Sequence, residues 1–135
     1  MEILTVSEIA LPLFLRCRGD KRVQRFASEN DLRNSLEAID VENEEFEVWD
    51  NLGFRVNLRL TNPKSIRSLR IERSGDRPNK EEALQAFVEF ARAEGAHFSL
   101  PPQTDDLLSI YHVLAQEVQR VWDKRPWIKK LLDRF

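Results

Sequence analysis

The stretch Glu45–Leu60 constrains this chain more than any other. On its first arm Phe46 and Val48 alternate with Glu45, Glu47 and Trp49. On its second, Phe54, Val56, Leu58 and Leu60 alternate with Arg55, Asn57 and Arg59. Period-two alternation on both sides of a glycine-containing turn predicts a β-hairpin. A slip of one residue would turn a strand's whole core set outward, so the apolar residues must share a face. Pairing Val48 with Val56 and Phe46 with Leu58 satisfies that condition. It leaves Asn51-Leu52-Gly53 as the loop, with glycine where a positive φ is needed. The same register sets Trp49 opposite Arg55, Glu47 opposite Asn57 and Glu45 opposite Arg59. That second face is expected to be polar, wet and laced with cross-strand charge pairs.

Ahead of the hairpin, Ile9–Cys17 reads as a strand. Its Pro12 offers no ladder donor, which predicts a sheet edge or a bulge. Arg18-Gly19-Asp20-Lys21 reads as a turn returning into a strand over Arg22–Phe26, and the Arg-Gly-Asp tripeptide is a turn signal rather than an adhesion ligand. Ser28 begins a helix with Glu29 and Asp31 in its first turn and Leu32, Leu36 and Ile39 as its buried stripe. Beyond the hairpin, Asn62-Pro63 breaks the chain. Ile66–Arg73 then reads as a strand with Leu69 and Ile71 inward. The period changes next. Asn79 caps a helix with Glu82 at the capping-box position, and Gly95 stops it. Thr104 is expected to cap the longest helix, whose apolar face runs from Leu107 through Tyr111 and Leu114 to Trp122. Pro126 opens a last short helix.

Strands crowd residues 1–75 and helices residues 76–135. This segregation predicts a single α+β domain, with a mainly antiparallel sheet in the N-terminal half and helices packed on one face. The 135 residues suit one domain with a real core. The net charge of -2 gives no bulk attraction to nucleic acid or membrane. Charged residues make up 33% of the chain, which favours a well-solvated surface. Ile9–Leu15 is apolar but follows Glu2 and Glu8 and is closed by Arg16 and Arg18, unlike a signal peptide, and it is too short to span a bilayer. With Cys17 as the single cysteine, the expected setting is a reducing cytoplasm.

Few residues offer catalytic chemistry. Cys17 shares parity with Leu11, Leu13 and Leu15, as a buried inert thiol does. Two histidines, His97 and His112, are too few for a zinc site unless carboxylates help, and the four glycines are too dispersed for a phosphate loop. No catalytic residue, metal or cofactor is assigned. The run Asp40, Glu42, Glu44, Glu45, Glu47 and Asp50 contains no basic residue. It lacks the spacing of a calcium loop and suits a basic protein partner better than a metal. Arg55, Arg59, Arg67, Arg70 and Arg73 enrich the following strands. With Trp49 for stacking they suit single-stranded nucleic acid, but Glu45, Glu47 and Glu72 compete for them. The basic, aromatic run Lys124–Phe135 reads as a helix closing the core, with Trp127 exposed beside its apolar stripe.

The segment Leu36–Asp50, a helix running through an acidic turn into a strand that ends at an aspartate, resembles a segment of small uncharacterised bacterial proteins. The resemblance implies a bacterial cytosolic setting and brings no activity or site residue with it. The expectation is a non-enzymatic macromolecule-binding protein, a protein-interaction or regulatory module of adaptor or immunity type by analogy. Its candidate binding residues are Glu42, Glu44, Glu45, Glu47, Trp49, Arg55, Arg59 and Trp127. One alternative is a nucleic-acid binder using the arginine-rich strands. Another is an enzyme built from carboxylates and His112. A homodimer through the open sheet face or the Trp127 helix is compatible with each.

Overall fold

Each alternating segment in the first half of the chain becomes a strand of one antiparallel sheet in the computed structural model, which describes residues 9–75, 77–98 and 106–124. The strands are β1 (Leu13–Cys17), β2 (Val23–Phe26), β3 (Phe46–Trp49), β4 (Arg55–Leu60) and β5 (Leu69–Ser74), in the order β2-β1-β3-β4-β5. A 3-10 turn, Ile66–Ser68, leads into β5. The helices among the described residues are α1 (Glu29–Asn34), α2 (Ala38–Glu42), α3 (Lys80–Ala93) and α4 (Leu107–Asp123). The fold is α+β, as the segregation of periods predicts.

Both faces of the sheet are covered over β1 and β3. Phe14, Val23 and Trp49 point to one face, where Leu84 and Phe87 of α3 and Ile110 and Leu114 of α4 bury them. Phe14 sits 5.3 Å from both the Phe87 and the Tyr111 ring centroids in edge-on contact, a favoured aromatic geometry. Leu13, Leu15, Val48 and Val56 point to the other face and pack against Leu32 of α1 and Leu36. The face expected to be wet is therefore roofed by the long helices near Trp49. It is open over β4 and β5, where Asn57, Arg59, Arg70 and Glu72 are exposed, and at Arg25 of β2.

Two local expectations change. Pro12 lies just before the first ladder pair, Leu13↔Phe26, so β1 is an interior strand and loses no hydrogen bond to proline. The helix that begins after Ser28 divides in two. Ser28 does cap α1, accepting from the Asp31 amide at 3.1 Å, but the Ser35 hydroxyl donates to the Asp31 carbonyl at 2.8 Å as the helix ends. The chain turns helical again at Ala38 with a new phase. Val41 is buried there and Ile39 is left 64% exposed.

Both long helices start from the hairpin loop. Gly53 takes φ +92°, and its carbonyl accepts from the Asn79 amide at 2.9 Å. Asn79 caps α3 by accepting from the Glu82 amide at 3.3 Å. A Cβ added to Gly53 would lie 2.9 Å from the Lys80 Cα, so glycine answers both a backbone conformation and a close approach. Gly53→Ala is expected to cost about 2–5 kcal/mol, combining left-handed strain with overpacking against a helix backbone. Gly75→Ala, at φ +86° with nothing within 4 Å, is expected to cost only about 1–2 kcal/mol. Urea unfolding of the two variants measures the difference.

The first loop residue holds α4. The Asn51 carbonyl accepts from the Leu107 amide at 3.3 Å, and its side chain accepts from the Leu108 amide at 2.7 Å. Asp106 is the N-cap, accepting from the Ser109 amide at 2.9 Å, and the hydrogen bonds from Ser109 hold its carboxyl below the usual range. Thr104, the expected cap, lies outside the described residues. Trp122, expected on the buried stripe, is 47% exposed and donates to Glu94 at 3.1 Å. Among the described residues no helix is long and apolar enough to cross a membrane.

Candidate functional site

The loop that organises the helices depends on a single buried carboxylate. Asp50 is 0% exposed. Its Oδ1 accepts from the Leu52 and Phe54 amides, each at 3.0 Å, which shapes the turn. Its Oδ2 accepts from the Ala10 amide at 3.2 Å and from Arg73 Nε and Nη2 at 3.2 and 3.0 Å. The Arg73 guanidinium lies 3.8 Å from the Phe54 ring centroid. Asp50 thus has no capacity left for a ligand. It belongs to the fold rather than to the acidic surface with which its sequence neighbours group it.

Trp49 is likewise withdrawn from solvent, at 0% exposure. Its ladder partner is Arg55, as the hairpin register predicts. Its indole Nε1 donates to Glu82 Oε1 at 2.8 Å, and the guanidinium carbons of Arg16 and Arg55 stand 5.8 and 5.4 Å from its ring centroid. Glu47 joins the two arginines, accepting from Arg16 Nη2 at 3.0 Å and from Arg55 Nη1 at 3.4 Å. Arg55 Nη1 also donates to Glu82 at 2.9 Å. Glu89 closes the set, taking Arg16 at 3.3 Å and Lys21 at 2.9 Å. Its hydrogen bond from Lys21 holds its carboxyl below the usual range. The expectation that Trp49 is an exposed contact residue is overturned: α3 covers the face on which it stands, and acids from α3 and β3 meet the arginines around it.

The outer half of the expected register also changes. The β3–β4 ladder is confined to Trp49↔Arg55, after which the strands separate. A cleft of about 210 Å³ opens there, lined by Arg18, Val41, Glu44, Phe46 and Arg55 to Leu58. Arg59 consequently turns away from Glu45 and pairs with Glu72 of β5 at 3.0 Å, while Glu47 pairs with arginines rather than facing Asn57. The Arg59–Glu72 pair is 63% and 49% exposed and contributes about 0–1 kcal/mol.

Beside this cleft the α2–β3 turn carries the rest of the acidic run. Glu42 and Glu44 are exposed and Glu45 half-buried. Glu44 takes φ +54°, and the Glu44 and Glu45 carbonyls accept from Arg18 Nε at 3.0 Å and the Arg18 amide at 2.6 Å. Their backbones are therefore fixed. The carboxylates of Glu37, Asp40, Glu42, Glu44 and Glu45 make no ion pair among the described residues. The exposed Ile39 stands among them on α2.

No family model matches the chain, and no curated protein or solved structure matches it significantly. Among the described residues no group of three or more His, Cys, Asp and Glu side chains is placed to hold a metal ion. His97 and His112 are both exposed, and no carboxylate is hydrogen-bonded to either among the described residues. Cys17 packs at the edge of the apolar cluster under α1, where burial pushes its thiol pKa up and keeps it protonated. Of the five arginines considered for nucleic acid, Arg55, Arg59 and Arg73 are ion-paired. Trp127 lies outside the described residues. Asn51 and Gly53 are legible as turn formers; the buried role of Asp50 is not, because its sequence neighbours are acids, nor is the exposure of Ile39, which keeps helical spacing with Leu32 and Leu36.

Proposed function

We propose that this protein is a non-enzymatic protein-binding module whose contact surface is the acidic α2–β3 turn centred on Ile39. One observation carries the reading. The charges around Trp49 are matched against one another, whereas the carboxylates around Ile39 are left unmatched beside an exposed large apolar side chain. An exposed apolar residue on an acid-rich helix and turn suits a basic protein surface: the isoleucine supplies desolvated contact and the carboxylates supply steering and register. The fixed backbone of Glu44 and Glu45 limits the ordering cost of such a contact. A nucleic-acid role has less support, because its stacking residue is buried and most of its arginines are paired.

The test is crosslinking in the native host, read by quantitative mass spectrometry. Ile39→Asp and the double variant Glu42→Lys/Glu44→Lys are compared with the natural protein. A specific partner is expected to drop by about tenfold or more with either variant. Thermal stability stays within about 0.5 kcal/mol, since both changes are at the surface. An identical set of captured proteins for all three chains sinks the proposal.

A further inference from the structure

The two edges of the sheet are treated differently. At one edge, the short strand β2, the Val23 carbonyl is taken by the Tyr111 hydroxyl of α4 at 2.8 Å. At the other, β5 runs for six residues without proline. The direction of its backbone groups follows from its pairing with β4. In an antiparallel ladder both polar groups of a residue point to the same neighbour, and successive residues alternate. The Thr61 amide donates to the Ser68 carbonyl at 3.3 Å, in phase with the register Arg59↔Arg70 and Asn57↔Glu72. Ser68, Arg70 and Glu72 therefore bond toward β4, and Leu69, Ile71 and Arg73 turn their amides and carbonyls outward. Arg33 Nη2 of α1 reaches the outward Leu69 carbonyl at 3.3 Å, which agrees with this phase. A carbonyl has two lone pairs, so that contact leaves room for a strand bond.

The side chains of β5 carry an unresolved charge pattern. Arg70 stands directly opposite Arg59, a like-charge pair that disfavours the strand. Arg59 is relieved by Glu72. Arg70 is exposed and makes no ion pair among the described residues. Beside it a groove of about 480 Å³ runs between β5 and α1, lined by Glu29 and Arg33 and by Arg67 to Glu72.

We infer that β5 is a homodimerisation edge, pairing antiparallel with β5 of a second copy about a twofold axis at Ile71. The outward phase allows hydrogen-bonded pairs only between odd residues and odd residues. An axis at Arg70 would oppose arginine to arginine, and an axis at Glu72 would oppose glutamate to glutamate. An axis at Ile71 sets Arg70 opposite Glu72 of the second copy, and Glu72 opposite Arg70, at the non-hydrogen-bonded positions where side chains come closest. Ile71, half-buried in one copy, then packs beside its equivalent on the α1 side. The charge pattern is self-complementary in that register, as a twofold interface requires. This edge is distinct from the acidic turn and leaves it free.

Analytical ultracentrifugation over a wide concentration range tests the inference. The natural chain is expected to show a reversible monomer–dimer equilibrium. R70E and E72R should each weaken it by about tenfold or more, because each opposes like charges twice. The double swap R70E/E72R should restore it. R70E keeps an acid opposite Arg59 and is the safer variant for folding; thermal melts verify both. Mixing R70E with E72R should yield a heterodimer, since both cross-strand pairs are then complementary. A natural chain that stays monomeric, a dimer indifferent to R70E, or a double swap that stays monomeric would overturn the inference.

Discussion

Asp50→Ala is expected to lower the free energy of unfolding by about 3–5 kcal/mol. The side chain is fully buried and receives five donors, three from backbone amides and two from Arg73. Its removal leaves a guanidinium at 17% exposure without its counter-ion and three amides to find other partners. A natural domain has about 5–15 kcal/mol in total, so the loss is a large share of it. Asp50→Asn should cost nearly as much. An amide group cannot accept at both ends, and its NH2 would face either Arg73 or the turn amides. Asp50→Ala/Arg73→Met should recover part of the loss, because no charge is then stranded. Guanidinium unfolding of the three variants reads the order. An Asp50→Ala change within about 1 kcal/mol of the natural chain would return this carboxylate to the acidic surface.

Trp49→Ala should cost about 3–5 kcal/mol, through a cavity beneath α3 and the loss of the indole donor to Glu82. The effect extends beyond volume. Arg16 and Arg55 flank the ring, and Glu47 and Glu82 are held by those arginines. Trp49→Phe keeps most of the apolar contact, leaves Glu82 to Arg55 alone, and should cost about 1–3 kcal/mol. An exposed contact residue behaves oppositely: alanine there would leave unfolding almost unchanged and weaken only association. Denaturation of these two variants therefore distinguishes a core tryptophan from a binding tryptophan without knowledge of any partner.

These two residues also show how far periodicity reaches. Val48 and Trp49 were correctly placed on opposite faces, because alternation is a property of the strand alone. That the Trp49 face is roofed by α3 was not legible. Two-sided burial leaves one strand face polar here only in part: Glu47 and Arg55 read as solvent residues, yet with Arg16 they are half-buried beneath Glu82 and Glu89. Neither acid signals such a contact, since both sit on a helix with an ordinary polar face. Similarly, Asp50 counted with the acidic run until its turn and Arg73 claimed it.

Local chemistry is enough to specify the antiparallel hairpin, the Trp49↔Arg55 pair, the glycine at the loop, the Asn79 cap and the α+β class. Each of these follows from local backbone sterics or from a period of side chains, which neighbouring residues alone define. Which carboxylates are paired and which stay free depends on the packed fold. It matched Glu47, Glu82 and Glu89 to arginines and a lysine and shut Asp50 away from water. Glu42 and Glu44 stayed exposed around Ile39, and the edge of β5 stayed open. Charge pairing across 23 to 73 residues of sequence depends on how helices dock on the sheet, and no local pattern encodes that docking.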